Sequence, residues 1–218
     1  MQALPTLAIL GGTGALGTGL AMRWADAGYP IVIGSRSREK AQAAASTIAA
    51  RGGAAAVTGD DNAGAARTGN VVVIAVPWAT HDAILSEIKS LVSGKIVVDA
   101  VVPLVPPKVS VVQLPPAGSA GVIAHNTLGE GAKVVSAFHN VAAAKLQSGA
   151  EIDCDVLVFG NDREARDAVI ELAKALGTRG VDGGPIANSA AAEALTAVLI
   201  GINRRYKVPG AGIRITGL

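Results

Sequence analysis

A glycine-rich turn near the N-terminus constrains the fold of this chain more than any other feature of the sequence. The apolar run Leu7–Leu10 predicts a short strand, and it is followed directly by Gly-Gly-Thr-Gly-Ala-Leu-Gly. Gly12, Gly14 and Gly17 fill the pattern G-x-G-x-x-G, and an Ala-rich segment over residues 14–27 predicts a helix after it. A strand, this turn and a helix are the beginning of a βαβ unit that binds a dinucleotide.

The three glycines have separate physical roles in such a turn. Gly12 permits the tight turn out of the strand, and Gly14 allows a pyrophosphate to approach the backbone because no Cβ is in the way. Gly17 allows the helix to pack closely against the sheet. The free N–H groups at the helix start and the positive end of its dipole then face the phosphates. A tight turn without a ligand is the alternative, and the strand and helix that flank the motif favour the binding site.

Short β-branched runs alternate with longer Ala-rich segments along the rest of the chain. This alternation predicts an α/β fold, a Rossmann-type doubly wound, mostly parallel sheet with a small C-terminal α/β portion. Further strands are predicted at residues 31–33, 56–58, 71–75, 96–98, 134–136 and 156–159. Further helices are predicted at residues 39–50, 61–68, 80–92, 119–128, 142–146, 163–176 and 189–202.

Residues 99–118 contain five prolines, too many for a regular element, and predict a long loop of the kind usually reserved for function. We expect the boundary between two parts of the chain in this loop. Residues 1–102 would bind the dinucleotide, and residues 103–218 would form a smaller part that completes the site. The boundary is soft, and one compact domain is the alternative.

The end of the second strand distinguishes NAD from NADP. An NAD site has an acidic residue about 20 residues after the glycines, which holds the ribose 2′-hydroxyl. Ser35 stands there instead, 18 residues after Gly17, and Arg36 and Lys40 follow it. A hydroxyl and two cations supply donors and positive charge for a 2′-phosphate, and Thr13 in the glycine turn could add another hydroxyl. An ordinary solvated helix start is the alternative, but basic residues there oppose the helix dipole unless an anion binds.

Composition and charge exclude several classes of function. The chain has 218 residues, enough for one well-formed core, and its net charge is only +2. The cluster of Arg36, Arg38 and Lys40 is too small for a nucleic-acid face, so we expect no nucleic-acid partner. The single cysteine, Cys154, cannot form an internal disulfide, and no signal peptide or apolar stretch near the ~18 residues of a membrane span is evident. These features predict a cytoplasmic protein without a membrane partner.

No side chain is an obvious catalytic acid or base. Neither Tyr29 nor Tyr206 begins a Tyr-x-x-x-Lys motif, no G-x-S-x-G elbow is present, and one Cys with three His residues suggests no metal site. His139, at the end of the sixth predicted strand, is the best placed histidine, and capping of the next helix is as good an interpretation as contact with a substrate. The absence of an obvious catalytic acid or base favours direct hydride transfer between two bound carriers, with positioning as the main source of catalysis.

Several short segments occur in an order that is typical of one family. They are Leu10 to Gly17, Ile33 to Arg36 with Lys40, Val76-Pro77-Trp78, Val102-Pro103, Ser136 to His139, Gly184-Pro185 and Asn188-Ser189. Together they resemble the NADPH-dependent coenzyme F420 reductases, also called reduced-F420:NADP oxidoreductases, over nearly the whole chain. The combination is far more specific than the glycine motif alone.

The resemblance implies direct hydride exchange between C5 of a 5-deazaflavin and C4 of the nicotinamide, so no catalytic residue and no metal are expected. It implies that Gly12, Thr13, Gly14, Ala15 and Leu16 hold the pyrophosphate and that Ser35, Arg36 and Lys40 hold the 2′-phosphate. It places Val76, Pro77 and Val102 at the nicotinamide, and His139, Val141, Ala143 and Ala211 at the deazaflavin. Family members are similar in being homodimers, and the last helix, with Leu195, Val198, Leu199 and Ile202, would bury the partner or an intrachain core.

Departures from the family pattern fall on the deazaflavin side. They are Asp99-Ala100-Val101, the Pro-rich loop and the absence of a proline from residues 141–144. Two alternatives therefore stay open beside coenzyme F420: an NADPH-dependent reductase of flavins or other small molecules, and a non-catalytic NADP(H)-binding redox sensor.

Overall fold

Eight strands form one sheet in the computed structural model, which describes residues 3–52 and 55–218. The strands are β1 (Leu7–Leu10), β2 (Ile31–Ser35), β3 (Val57–Asp61), β4 (Val71–Ile74), β5 (Ile96–Asp99), β6 (Lys133–Ser136), β7 (Asp155–Gly160) and β8 (Arg179–Gly184). Their order is β3-β2-β1-β4-β5-β6-β7-β8, and each neighbouring pair is parallel except β6 and β7. The predicted α/β, mostly parallel fold is confirmed. The residues on either side of position 102 share this one sheet.

The helices cover both faces of the sheet. They are α1 (Ala15–Asp26), α2 (Arg38–Ala49), α3 (Asn62–Thr68), α4 (His81–Ile88), α5 (Ala120–Leu128), α6 (Ala143–Ser148), α7 (Arg163–Ala175) and α8 (Ser189–Tyr206). Side chains cap several starts: the oxygen of Ser37 accepts from the Lys40 N–H at 3.2 Å, and that of Ser119 accepts from the Val122 N–H at 3.0 Å. Such caps satisfy helix N–H groups that have no intrahelical partner.

Two apolar layers, one on each face of the sheet, form the core. The residues of β1 alternate between them: Leu7 and Ile9 pack with α1, α2 and α7, and Ala8 and Leu10 pack with α3, α4 and α5. All four are fully buried, as expected of a parallel strand covered on both faces. Burial of each large aliphatic side chain contributes about 1.5–3 kcal/mol, so this double layer fixes the strand ends that carry the site.

The structure differs from the sequence prediction mainly near the C-terminus. Strand β8 (Arg179–Gly184) was not predicted, because three of its six residues are glycine and only one is β-branched. It forms by parallel pairing with β7. Helix α8 continues four residues beyond the predicted end, and the helix predicted at 80–92 is shorter, since α4 ends at Ile88 and a 3-10 turn, Lys89–Leu91, follows it. No helix or strand interrupts residues 100–119, as predicted for the long loop.

The C-terminal helix is more apolar than the sequence analysis expected. Within Ile186–Tyr206, an 18-residue window has a mean hydropathy of 1.3, so by length and composition alone this helix could cross a membrane. No unbroken apolar run marks this segment in the sequence, because its hydropathy comes largely from alanines and it includes one buried carboxylate, Glu193. Leu199 belongs to the core of the chain, while 45% of the surface of Val198 is exposed.

Candidate active site

A cleft of about 720 Å³ opens at the C-terminal ends of β1, β2 and β4. In the sheet, β2 and β3 lie on one side of β1, and β4 and the later strands lie on its other side, so the direction of the strand order reverses between β1 and β4. In open α/β sheets, ligands bind at such a reversal. The cleft is lined by Gly11, Thr13, Gly14, Ser35, Arg36, Ser37, Lys40, Asn62, Ala75, Val76, Pro77, Thr80, Ala83, Ile84 and Glu87.

The glycine turn leaves no room for side chains on its inner side. Gly11 has a φ of +77°, and a Cβ on it would lie 2.7 Å from the carbonyl oxygen of Ala75. A Cβ on Gly17 would lie 2.6 Å from the carbonyl oxygen of Gly11, so α1 approaches the turn as closely as predicted. Gly14 is the N-cap of α1, and no side chain of the described residues caps this helix start. The N–H groups of this helix start therefore remain available to an anion.

The basic residues after β2 divide into paired and unpaired cations. Arg38 contacts Asp60 at 2.6 Å and Asp61 at 3.0 Å, and these two carboxylates raise the pKa of its guanidinium. Arg36 and Lys40 line the cleft and form no salt bridge within the described part of the chain. Of the three basic residues noted in the sequence, these two are therefore the ones available to a phosphate.

Two polar side chains lie beside these cations. Ser35, the last residue of β2, is buried, and its hydroxyl oxygen is 3.4 Å from the Ser37 N–H. Asn62 begins α3, is 5% exposed, and its Oδ1 has no hydrogen-bond partner among the described residues. An open glycine cradle, two unpaired cations and an unsatisfied amide in one cleft fit a dinucleotide that carries an extra phosphate.

Val76 and Pro77, expected at the nicotinamide, line the same cleft directly after β4. Val102, expected beside them, follows β5, is half-buried, and is not part of the lining of the cleft. The Ala100 N–H donates to the carbonyl oxygen of Ile74 at 3.0 Å, so the chain leaving β5 stays alongside β4. The apolar groups of these two segments therefore stand at neighbouring strand ends.

His139, Val141 and Ala143, which are expected at the deazaflavin, follow β6 and are not part of the lining of the cleft. Phe138 has a φ of +67°, which turns the chain sharply and buries His139. The Nε2 of His139 is 3.0 Å from the Ser136 hydroxyl, and its Nδ1 has no hydrogen-bond partner in the described ranges. Burial lowers the pKa of His139 to about 4, although Asp99 opposes this effect, so the imidazole is neutral at pH 7.

The other residues expected on that side lie near this turn and the C-terminal tail. Val141 is buried and Ala143, the first residue of α6, is half-buried. Ala211 is held by α8, since its N–H donates to Oδ1 of Asn203 at 2.7 Å. The tail crosses the same surface, because a Cβ on Gly210 would lie 2.7 Å from the Cβ of Ala142.

A buried carboxylate connects α8 with α5. The oxygens of Glu193, which is 1% exposed, accept from the N–H groups of Ala120 at 2.7 Å and Gly121 at 3.0 Å. The Ser189 hydroxyl also donates to Glu193, at 3.2 Å. Burial raises the pKa of Glu193 to about 7, although the two backbone hydrogen bonds lower it. Glu193 thus caps the N-terminus of α5, where a negative charge interacts favourably with the helix dipole.

A second buried polar pair joins α4 to β5. The Nε2 of His81 is 2.7 Å from Oδ2 of Asp99, and neither residue is exposed. Burial lowers the pKa of His81, but the hydrogen bond and charge of Asp99 outweigh it and the net pKa is raised. Neither His81 nor Asp99 was assigned a role from the sequence, and the same is true of Asn62 and Glu193. Asp99 alone gave a signal, as a departure from the family pattern.

The structure brings part of the predicted site together. Seven predicted residues line one cleft: Thr13, Gly14, Ser35, Arg36, Lys40, Val76 and Pro77. Gly12, Ala15 and Leu16 belong to the same turn and helix start, whereas Val102, His139, Val141, Ala143 and Ala211 lie outside the lining. No group of three or more His, Cys, Asp or Glu residues that could hold a metal occurs in residues 3–52 and 55–218.

The chain is similar to known proteins over nearly its whole length. Residues 6–103 match the family described as NADP oxidoreductase coenzyme F420-dependent. The chain is 43% identical over 221 residues to the F420-dependent NADP reductase of Methanocaldococcus jannaschii, covering 97% of this chain and 98% of that protein. The corresponding protein of Methanothermobacter thermautotrophicus is 37% identical over 220 residues, with 97% and 95% covered. A solved structure of a proposed F420-dependent NADP reductase from Arthrobacter sp. FB24 has a TM-score of 0.79 and 28% identity, covering 96% of this chain and 98% of that one.

Proposed function

The chain belongs to the family of F420-dependent NADP reductases, and we propose that it transfers a hydride directly between NADP(H) and the 5-deazaflavin coenzyme F420. The observation that carries the proposal is one continuous cleft. It runs from the unpaired cations Arg36 and Lys40, past the open glycine turn, to the apolar residues Val76 and Pro77. Such a path would suit a phosphorylated dinucleotide, and the identity to an F420-dependent NADP reductase extends over 97% of this chain, C-terminal residues included.

We assign NADP(H) binding to residues 1–102. Gly12 to Leu16 would hold the pyrophosphate through the N–H groups of the α1 start. Ser35, Arg36 and Lys40 would bind the 2′-phosphate through charge-assisted hydrogen bonds. Because Arg38 is neutralised by two carboxylates, specificity for NADPH over NADH would depend on Arg36 and Lys40 rather than on the whole basic cluster.

We assign residues 103–218 to the deazaflavin pocket and to a dimer contact. The pocket would form between the turn after β6, with His139, Val141 and Ala143, and the tail at Ala211, beside Val102. His139 is neutral and nearly enclosed, so it would contribute a hydrogen bond from Nδ1 and not a mobile proton. The bound carriers would supply the hydride chemistry: C4 of the nicotinamide loses the hydride that C5 of the deazaflavin gains, and the proton that completes the reduced deazaflavin comes from solvent.

The protein's contribution to the rate would be positioning. The apolar residues Val76, Pro77 and Val102 would hold one ring and exclude water, while the β6 turn and the tail hold the other. Placement of two reactants at reacting distance can supply about 7–11 kcal/mol of a barrier. The two buried histidines near the crevice are engaged in hydrogen bonds with Ser136 and Asp99, which agrees with a reaction that needs no protein acid or base.

We further propose that the protein is a cytoplasmic homodimer whose partners are small-molecule redox cofactors, with neither nucleic acid nor a membrane. The apolar surface that supports the dimer includes Val198 of α8, 45% exposed, and Val111 and Val112 of the long loop, 52% and 45% exposed. Arg204 of α8 donates to Ser110 at 3.4 Å, so helix and loop form one surface. A second copy would cover it and would also explain the hydropathy of α8.

A turnover assay tests the function. Purified protein is mixed with NADPH and oxidised coenzyme F420, and loss of deazaflavin absorbance is followed, with NADH in place of NADPH and with FMN and FAD in parallel. We expect fast bleaching of the deazaflavin with NADPH and little activity in the other mixtures. Reduction of FMN or FAD at a similar or greater rate would favour the flavin-reductase alternative, and NADPH binding without any turnover would favour the sensor.

A further inference from the structure

The buried pair of His81 and Asp99 is not used by any contact assigned above. His81 Nε2 and Asp99 Oδ2 are 2.7 Å apart, and both residues are fully buried. An isolated buried ion pair stabilises a fold weakly, and well-packed apolar residues of similar volume often do as well or better. His81 is also satisfied on one side only, since its Nδ1 has no hydrogen-bond partner in the described residues. A costly polar pair at the ligand end of a sheet calls for a functional explanation.

The pair joins the two segments that are expected to hold the nicotinamide. His81 is the first residue of α4 and stands four residues after Pro77, with the 3-10 turn Trp78–Thr80 between them. The ring centroids of Trp78 and His81 are 5.5 Å apart, and the Thr80 N–H and hydroxyl both donate to the Pro77 carbonyl oxygen. A shift of His81 would therefore be transmitted to Pro77 through a short, hydrogen-bonded turn.

Asp99 fixes the opposite segment. It is the last residue of β5, and its Oδ1 accepts from the Val101 N–H at 3.0 Å, while its Oδ2 faces His81. Its backbone carbonyl accepts from the Ala137 N–H at 3.1 Å, next to the turn that carries His139. The carboxylate of Asp99 thus bonds both to the segment that leads to Val102 and to the start of α4. Its backbone carbonyl bonds to the residue that follows β6.

We propose that His81 and Asp99 are positioning residues for hydride transfer, whose hydrogen bond fixes the Val76–Pro77 segment relative to Val102 and so sets the placement of the nicotinamide ring. This proposal rests on the function proposed above. It predicts that loss of the pair slows the hydride step while the affinity for NADPH, which comes mainly from the phosphate contacts at the distant end of the cleft, is retained.

The test uses three variants that separate positioning from folding. His81→Leu removes the donor, and His81→Gln returns an N–H near the position of Nε2. His81→Leu/Asp99→Asn removes the pair without a stranded charge and keeps an amide oxygen for the Val101 N–H. We expect His81→Leu to lower the single-turnover rate of F420 reduction by about 10- to 100-fold, because a misplacement of about 1 Å costs that much. The dissociation constant for NADPH should change by less than about threefold, and His81→Gln should restore most of the rate.

The double variant gives the decisive comparison. If the pair only maintains the fold, removing both partners together should restore the rate, since no unpaired charge remains. If the pair positions the ring, the double variant should fold and bind NADPH but remain slow. Arg166→Met is a matched control, because Arg166 pairs with Asp182 at 2.8 Å and with the Gly160 carbonyl oxygen at 2.6 Å, at the β7–β8 edge of the sheet, which contributes no residue to the lining of the cleft. Its rate should equal that of the unmodified protein.

A readout without the deazaflavin keeps this proposal separate from the proposed function. Emission from the reduced nicotinamide of bound NADPH reports the surroundings of that ring alone. We expect His81→Leu and the double variant to shift this emission towards that of free NADPH, with His81→Gln close to the unmodified protein. Unchanged emission and an unchanged hydride rate in the double variant would overturn the positioning role. Failure of the unmodified protein to reduce coenzyme F420 would instead overturn the proposed function and leave the emission test standing.

Discussion

Glu193 and His139 should give the protein two opposite pH dependences that largely cancel. Burial raises the pKa of Glu193 from 4.5 to about 7 and lowers that of His139 from 6.5 to about 4. Each shift corresponds to about 3 kcal/mol of unfolding free energy, at 1.36 kcal/mol for each pKa unit. Both residues are buried, 1% and 6% exposed, so solvent screens neither effect strongly.

The two signs follow from which state binds the proton. Between pH 4.5 and about 7 the folded state keeps a proton on Glu193 that the unfolded chain has lost, so the free energy of unfolding falls as pH rises. Between pH 6.5 and about 4 the unfolded chain protonates His139 and the folded state does not, so the free energy of unfolding falls as pH drops. Over pH 4.5–6.5 the two contributions oppose each other, and their sum changes little.

Single substitutions should uncover each contribution. Glu193→Gln should leave only the histidine contribution, and its stability relative to the unmodified protein should fall by about 3 kcal/mol from pH 7 to pH 4.5. His139→Gln should show the reverse, with relative stability falling by about the same amount from pH 4.5 to pH 6.5. A loss of hydrogen bonds in either variant adds a constant offset, whereas the slope against pH reports the titrating group.

Urea unfolding followed by tryptophan fluorescence at several pH values between 4 and 7.5, at one protein concentration, measures these slopes. Other carboxylates with lowered pKa values, such as Asp155 and Asp162, are present in all three proteins. Their contributions therefore cancel in the difference in unfolding free energy between a variant and the unmodified protein. Parallel stability curves for the three proteins would refute the reasoning, because they would mean that neither buried group titrates differently in the folded and unfolded states.

Three further results are expected. Arg36→Ala should raise the KM for NADPH about tenfold or more and leave the KM for NADH nearly unchanged. Arg38→Ala loses only contacts with two carboxylates, so it should leave the ratio of the two KM values unchanged. Equal effects of Arg36→Ala on both nucleotides would contradict the assignment of Arg36 to the 2′-phosphate site. His139→Ala should weaken deazaflavin affinity with little effect on NADPH affinity, and an unaltered deazaflavin dissociation constant would return His139 to a structural role. If the proposed dimer forms through α8, Val198→Lys should convert it to a monomer in light scattering after size-exclusion chromatography, and an unchanged dimer mass would exclude the outer face of α8 from the interface.

The N-terminal half of the fold could be predicted because its signals are local. The strand, glycine turn and helix at residues 7–26 follow one another without a gap, and the predicted second strand and second helix come soon after them. Ser35 and Arg36 could be placed for the same reason, since the distance from the glycines fixes the end of β2. The elements predicted there differ from those of the structure by a few residues at their ends.

The remaining features depend on contacts between distant parts of the chain. Strand β8 has a glycine-rich sequence and exists because β7 pairs with it and Arg179 binds Asp155 at 2.5 Å. The buried pair of His81 and Asp99 spans 18 residues, and the bond from Ala120 to Glu193 spans 73. No periodicity or short motif encodes such pairings, so the sequence could not show that the polar groups behind the site form a buried network.

Deuterium tracing tests the central claim of direct hydride transfer most directly. NADPH carrying deuterium on the transferred position of C4 is mixed with the protein and oxidised coenzyme F420 in ordinary water, and the reduced deazaflavin is examined by mass spectrometry and NMR. We expect the deuterium to appear at C5 of the deazaflavin without loss to solvent, because the hydride passes directly from one carrier to the other. Deuterium in the water, or a reduced deazaflavin without deuterium at C5, would contradict direct transfer.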